Sequence, residues 1–210
     1  MLRVWKLWPL ILITSCSLPD LTDPEVWEEA KESATELTNL KRKFMYGMFH
    51  LYVEKDDQPY TGWVKSTIES GELVQLGYLK QGRKEGMWMD WYRSGRKKSQ
   101  IHWTEDRMDG PFLVWHEKGP IKVVGQTKDG EVDGQWNEFY SNGQLASRSL
   151  NRTGHLVDIS VWKPDGTACN QSKVNHGNGS FLRYFENGSV EYKRVFSAGV
   201  EISREEFNQR

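Results

Sequence analysis

Two cysteines, five histidines and 29 carboxylates are the groups in this 210-residue chain that could serve as nucleophiles, ligands or acid–base pairs. Cys16 is the one whose neighbours point to a reaction. Arg3 and Lys6 precede an apolar run from Leu7 to Ile13, interrupted only by Pro9, and the small residues Thr14 and Ser15 lead into the cysteine. That order is the layout of a secretory signal, and the run is too short for the ~20 residues of a membrane-spanning helix. A thiolate is the side-chain nucleophile best suited to accept an alkyl or acyl group. Elsewhere the pattern is thin. His50, His102, His116, His155 and His176 show neither H-x3-H nor C-x2-C spacing, so no metal site is expected. No serine lies in G-x-S-x-G, and the glycines recur by period instead of clustering before a helix as a phosphate loop would. Glu69, Asp90, Glu105, Asp106 and Glu138 are scattered, and nothing singles out a glycosidase pair. No catalytic residue, no cofactor and no enzymatic activity are expected. Cys169, the second cysteine, reads as a buried, inert thiol.

The segment Ile13-Thr14-Ser15-Cys16 resembles a bacterial lipobox. The resemblance implies that residues 1–15 form a lipoprotein signal peptide cut before Cys16, whose thiol carries the lipid. Each buried methylene adds ~0.8 kcal/mol, so two or three acyl chains hold a protein firmly on a leaflet. Ser17 follows the cysteine where an Asp would argue for inner-membrane retention. The expected location is therefore the bacterial cell envelope, at the periplasmic side of the outer membrane in a cell that has one. A plain cleaved signal, or a short uncleaved anchor, is the simpler alternative.

The 28 Lys+Arg against 29 Asp+Glu give a net charge of −1, with no long basic run, so a nucleic-acid partner is not expected. Residues 16–43 read as an anchor spacer with an amphipathic helix. Asp23 is a candidate N-cap with Pro24 at the first helical position. Val26, Trp27, Ala30, Ala34, Leu37 and Leu40 recur at three- and four-residue steps, and Lys41 to Lys43 would suit the C-terminal end of the dipole. The helix is expected to pack on the repeats that follow or to act as a solvated spacer.

From residue 44 to 200 glycine sets a period. Gly62, Gly86, Gly110 and Gly134 are 24 apart, and nine residues after each come Gly71, Gly95, Gly119 and Gly143. A degenerate unit follows around Asp158 and Gly166, then a clear one at Gly179 and Gly188. A third column holds Gly82, Gly130, Gly154 and Gly199, with Asp106 in that place once. Three columns in register over some 140 residues mark a repeat array. Between first and second glycine, units such as GMWMDWYRSG and GSFLRYFENG carry an aromatic at position two, another at five, and an aromatic or His at six. Ser94-Gly95, Asn142-Gly143, Asp165-Gly166 and Asn187-Gly188 are tight-turn pairs, and alternating stretches such as QLASRSL follow. Each unit is therefore expected to be a β-hairpin, with the glycines of the first two columns as its turn residues. Residues 201–210 read as a tail.

This glycine–aromatic spacing resembles the MORN-repeat variant of YwqK-like "antitoxin" proteins, and the likeness spans about residues 44 to 200. It implies a mostly β fold: about six tandem hairpins forming one extended, twisted antiparallel sheet beside the short N-terminal helix. Val64 and Thr67 stand where the first unit should have aromatics. Ser160, Trp162 and Pro164 in the fifth predict a distorted hairpin.

Alternation places positions two and six on one face: Trp88 and Tyr92, Phe112 and His116, Trp136 and Tyr140, Phe181 and Phe185. Position five (Trp91, Trp115, Phe139, Tyr184) faces the other way, with Met89, Leu113 and Leu182 at position three. Asp90, Glu138 and Arg183 sit between the rings of the first face, which marks it as the wetter side and a possible binding surface. The alternative is that both columns serve sheet packing. The expected function is a non-enzymatic, lipid-anchored envelope protein that presents its sheet to an envelope protein. Glycan or lipid-headgroup binding through the aromatic column is the second reading. Neutralisation of a partner toxin, drawn from the family label, is the third.

Overall fold

The computed structural model describes residues 19–45, 48–53 and 58–208; Cys16 and the signal-like segment lie outside them. The fold is mostly β. Fourteen strands form one sheet: β1 (Thr35–Glu36), β4 (Gly62–Thr67), β5 (Leu73–Lys80), β6 (Arg83–Trp91), β7 (Lys97–Thr104), β8 (Arg107–Trp115), β9 (Ile121–Lys128), β10 (Glu131–Phe139), β11 (Leu145–Arg152), β12 (His155–Val161), β13 (Lys173–Asn175), β14 (Asn178–Tyr184), β15 (Val190–Ser197) and β16 (Val200–Glu206). From β4 onward each strand pairs antiparallel with the next in the chain. The hairpin β2 (Leu40–Met45) and β3 (Met48–Val53) stands apart as a two-stranded sheet.

Two turn types alternate. In the first, the position-six N–H bonds the carbonyl four residues on and the second glycine's N–H returns to position six: Tyr92 N to Arg96 O and Gly95 N to Tyr92 O, both 2.9 Å. The same pair recurs from Ile68, His116, Tyr140, Lys163 and Phe185. The geometry needs a left-handed residue, and Gly95 has φ 77°. The second turn has two left-handed residues in succession, as at Gln81 (φ 50°) and Gly82 (φ 77°), which is the type I′ arrangement suited to twisted hairpins. Side chains tie these turns to the strand before: Thr61 Oγ1, Glu85 Oε2, Asp133 Oδ1 and Asn178 Oδ1 accept from the backbone N–H of Gln81, Glu105, Thr153 and Ala198 at 2.9–3.1 Å.

Several expectations need correction. Gly62, Gly86, Gly110, Gly134 and Gly179 are not turn residues: Gly62 opens β4, Gly179 lies within β14, and Gly86, Gly110 and Gly134 lie inside β6, β8 and β10, where strand register shifts. Their positive φ lets the strand bulge without a side-chain clash. The helix α1 (Pro24–Ser33) does start on an Asp23 cap, whose Oδ1 accepts from Glu25 N at 2.9 Å, but it stops well before Lys43. Ala34 is extended (ψ 130°), and the following Thr35–Glu36 pairs parallel with Val64–Lys65, which makes the sheet mixed. Lys41 to Lys43 lie in β2, past the end of α1 and after a single 3-10 turn at Leu37–Asn39. The tail becomes β16, because the turn at Ala198-Gly199 returns the chain onto β15. The fifth unit is distorted as expected: Trp162 and Ala168 form an isolated bridge, and the three-residue β13 pairs with β12 only at Ile159 and Val174 among the described residues.

The sheet curls toward its C-terminal end. Glu138 on β10 forms an ion pair with Arg183 on β14, although three strands lie between. Flat, those strands would be about 19 Å apart at ~4.8 Å per spacing. The inner face of the curl holds one core, with Phe181, Phe196, Val161, Val174 and Leu156 buried together.

Candidate functional site

The position-six rings are structural staples. Tyr92 Oη donates to Trp115 O at 2.7 Å, His116 Nε2 lies 2.9 Å from Phe139 O, and Tyr140 Oη donates to Trp162 O at 2.8 Å. Each ring reaches from its own turn to the position-five carbonyl of the next unit. A polar tip is therefore required, which explains how His116 replaces a tyrosine. Burial pushes the Tyr140 phenol up to about 12.

The position-two rings cover the backbone of the neighbouring strand. Trp88 is 2% exposed, donates through Nε1 to Tyr78 O at 3.1 Å, and lies on Gly77, where a Cβ would stand 2.1 Å from its ring. Trp136 lies on Gly125 in the same way (2.2 Å) and meets Phe112 with centroids 4.8 Å apart and ring planes tilted by 35°. The Lys84 ammonium is 4.2 Å from the Trp88 ring centroid and 4.6 Å from that of Trp103, and desolvation holds its pKa below the ordinary lysine value.

The face expected to be wetter is therefore largely the core. Trp88, Tyr140 and Phe181 are buried; Tyr92, Phe112, His116, Trp136 and Phe185 are half-buried. The charges that marked the face as wet are paired or bonded: Asp90 takes hydrogen bonds from Gln75 and Ser99, and Glu138 holds Arg183.

The opposite face differs along its length. Over β4–β6 it is sealed by α1 and the residues before it: Leu21, Ala30 and Ala34 bury Trp63, Leu76, Met87 and Met89, and Trp27 meets Trp91 at 5.4 Å. Over β8–β11 no described element lies on it. There Leu113 pairs with Val124, Trp115 with Ile121, and Phe139 with Leu145. These residues are half-buried apart from Ile121, which is 39% exposed; Leu150 nearby is 38% exposed.

The inner face of the curl holds a cavity of about 200 Å³. Trp136, Phe181 and Tyr192 wall it, and Arg183, Arg194, Ser147, Ser149 and Asn151 supply its polar groups. Arg194 Nε bonds Glu201 Oε2 at 2.6 Å, and Asn151 Nδ2 bonds Ser149 Oγ at 2.9 Å. Sequence reasoning missed the serines and Asn151. Their signal was present in the inward positions of SRSLN, where three small polar residues alternate at sites that carry bulk in other strands.

Cys169 is buried, as read from the sequence. Its Sγ lies 2.9 Å from Tyr184 Oη, and Ser172 Oγ donates to it at 3.2 Å. Burial raises the thiol pKa, but these hydrogen bonds outweigh it and bring it below the ordinary value. Among the described residues, no group of His, Cys, Asp and Glu could hold a metal ion, and no helix is long and apolar enough to cross a membrane. No protein-family model matches the chain, and no curated protein matches it.

Proposed function

We propose that this chain is a non-enzymatic, lipid-anchored repeat protein of the bacterial cell envelope, a divergent MORN-variant array that presents one sheet face to a protein partner. Cys16 carries the lipid, and in a cell with two membranes the protein faces the periplasm from the outer one. The observation that supports the interaction reading is the unlayered apolar surface over β8–β11, formed by Leu113, Trp115, Ile121, Val124, Phe139 and Leu150. Sheets bury one face readily and leave a large apolar second face only at some cost in solubility, so such patches mark interaction sites. The polar and aromatic residues that define the repeat are occupied with joining units, which leaves this surface as the feature suited to recognition.

Two experiments test the reading. Metabolic labelling with a fatty-acid analogue should mark the wild type and spare Cys16→Ala; equal labelling removes the anchor. Crosslinking in intact cells should capture a partner with the wild type and lose it with Ile121→Asp plus Leu150→Asp. A partner retained by that double variant would rule out this surface.

A further inference from the structure

We propose that the cavity inside the C-terminal curl is a binding site for one neutral pyranose ring of a glycan. It lies on the face opposite the proposed protein surface and does not depend on it. The pocket is half open to solvent, and a space of about 200 Å³ lined by guanidinium and hydroxyl groups holds water that a polar ligand can replace. The volume is below the ~300–1,000 Å³ of sites that enclose a whole drug-sized ligand, which suits a single ring with the rest of a chain outside.

The lining selects the chemistry. Arg183 is held by Glu138, with Glu191 4.0 Å away, and Arg194 is held by Glu201, so the positive charge is already compensated and an anion gains little. An apolar ligand would strand Ser147, Ser149 and Asn151 without water. A sugar hydroxyl both donates and accepts, and here donors and acceptors are fixed side by side by the ion pairs. Ser147 and Tyr192 add hydroxyl groups to the lining. Trp136, Phe181 and Tyr192 provide apolar walls for the C–H faces of the ring. Holding these groups in place before binding lowers the ordering cost.

The test is calorimetric titration of the full chain with N-acetylglucosamine tetrasaccharide, with maltotetraose and with inorganic phosphate. Saturable heat is expected with at least one of the two neutral oligosaccharides and none with phosphate. Ser149→Leu, which fills the cavity, should abolish that heat while far-UV circular dichroism stays unchanged. Ser147→Ala should weaken affinity about tenfold, the loss of one hydrogen bond. A wild type silent to both oligosaccharides, a response to phosphate alone, or a folded Ser149→Leu that binds as tightly as wild type would overturn the proposal. Should Ser149→Leu fail to fold, unchanged affinity in Ser147→Ala overturns it.

Discussion

The outer face of the sheet over β4–β6 and the same face over β8–β11 are built from the same repeat positions, yet one is core and the other is surface. Met89 and Leu113 both stand at position three, and Trp91 and Trp115 both at position five. Met89 is 6% exposed beneath α1, whereas Leu113 is half-buried with no element over it. What separates them is the helix. Repeat position decides which face a side chain takes; a non-repeating segment decides whether that face is dry.

The contrast breaks most sharply at the rings. Trp63→Ala, beneath α1, should cost ~3–5 kcal/mol, the range for deleting a large buried aromatic. Trp115→Ala, on the uncovered stretch, should cost about 1 kcal/mol or less. Denaturant midpoints measure both, and equal losses would mean that the uncovered face is as tightly packed as the sealed one.

Glycines give the next largest difference. Gly77→Ala places a Cβ 2.1 Å from the Trp88 ring and should cost ~1–3 kcal/mol or more through overpacking. Gly143→Ala meets no atom within 4 Å, and only its left-handed φ of 85° is strained, so about 1–2 kcal/mol is expected. Thermal melts should order the two accordingly.

Tyr140→Phe removes the hydroxyl bonded to Trp162 O and should cost about 1 kcal/mol at neutral pH. The folded state holds this phenol at about 12 against an ordinary 10.0, so its contribution is complete below pH 10 and is lost as pH rises toward 12. Chemical denaturation at pH 9 and pH 11 should show the gap between wild type and Tyr140→Phe narrowing at the higher pH.

The smallest effects concern the ends of the staple column. His116→Phe should lose about 1 kcal/mol, and His116→Tyr should restore it. Phe185→Tyr should stay within about 0.5 kcal/mol, because among the described residues no further repeat unit offers a position-five carbonyl to accept. A clear gain from Phe185→Tyr would show that the column continues past its apparent end.

Much of this fold was legible because its causes are local. Asn-Gly and Ser-Gly pairs fix the first turn, and alternation fixes which residues share a face. The helix start was readable at Asp23-Pro24, but its end was not: Leu37 and Leu40 continue the helical spacing while pairing with β4 and contacts to Val64 and Leu79 draw the chain out of it. The site was less legible. Asp90, Glu138 and Arg183 looked like signs of solvent, and each instead finds a partner from another strand. Ser147, Ser149 and Asn151 looked like ordinary polar alternation.

The amino-acid order by itself determined the hairpin period, the turn geometry and the division of side chains between two faces, since each follows from φ/ψ limits and a two-residue repeat within a few neighbours. Which face is dry, and where a cavity opens, was decided only by tertiary structure. Those depend on α1 settling over β4–β6 and on the curl that carries Arg183 to Glu138, contacts between residues dozens of positions apart whose meeting no local preference encodes.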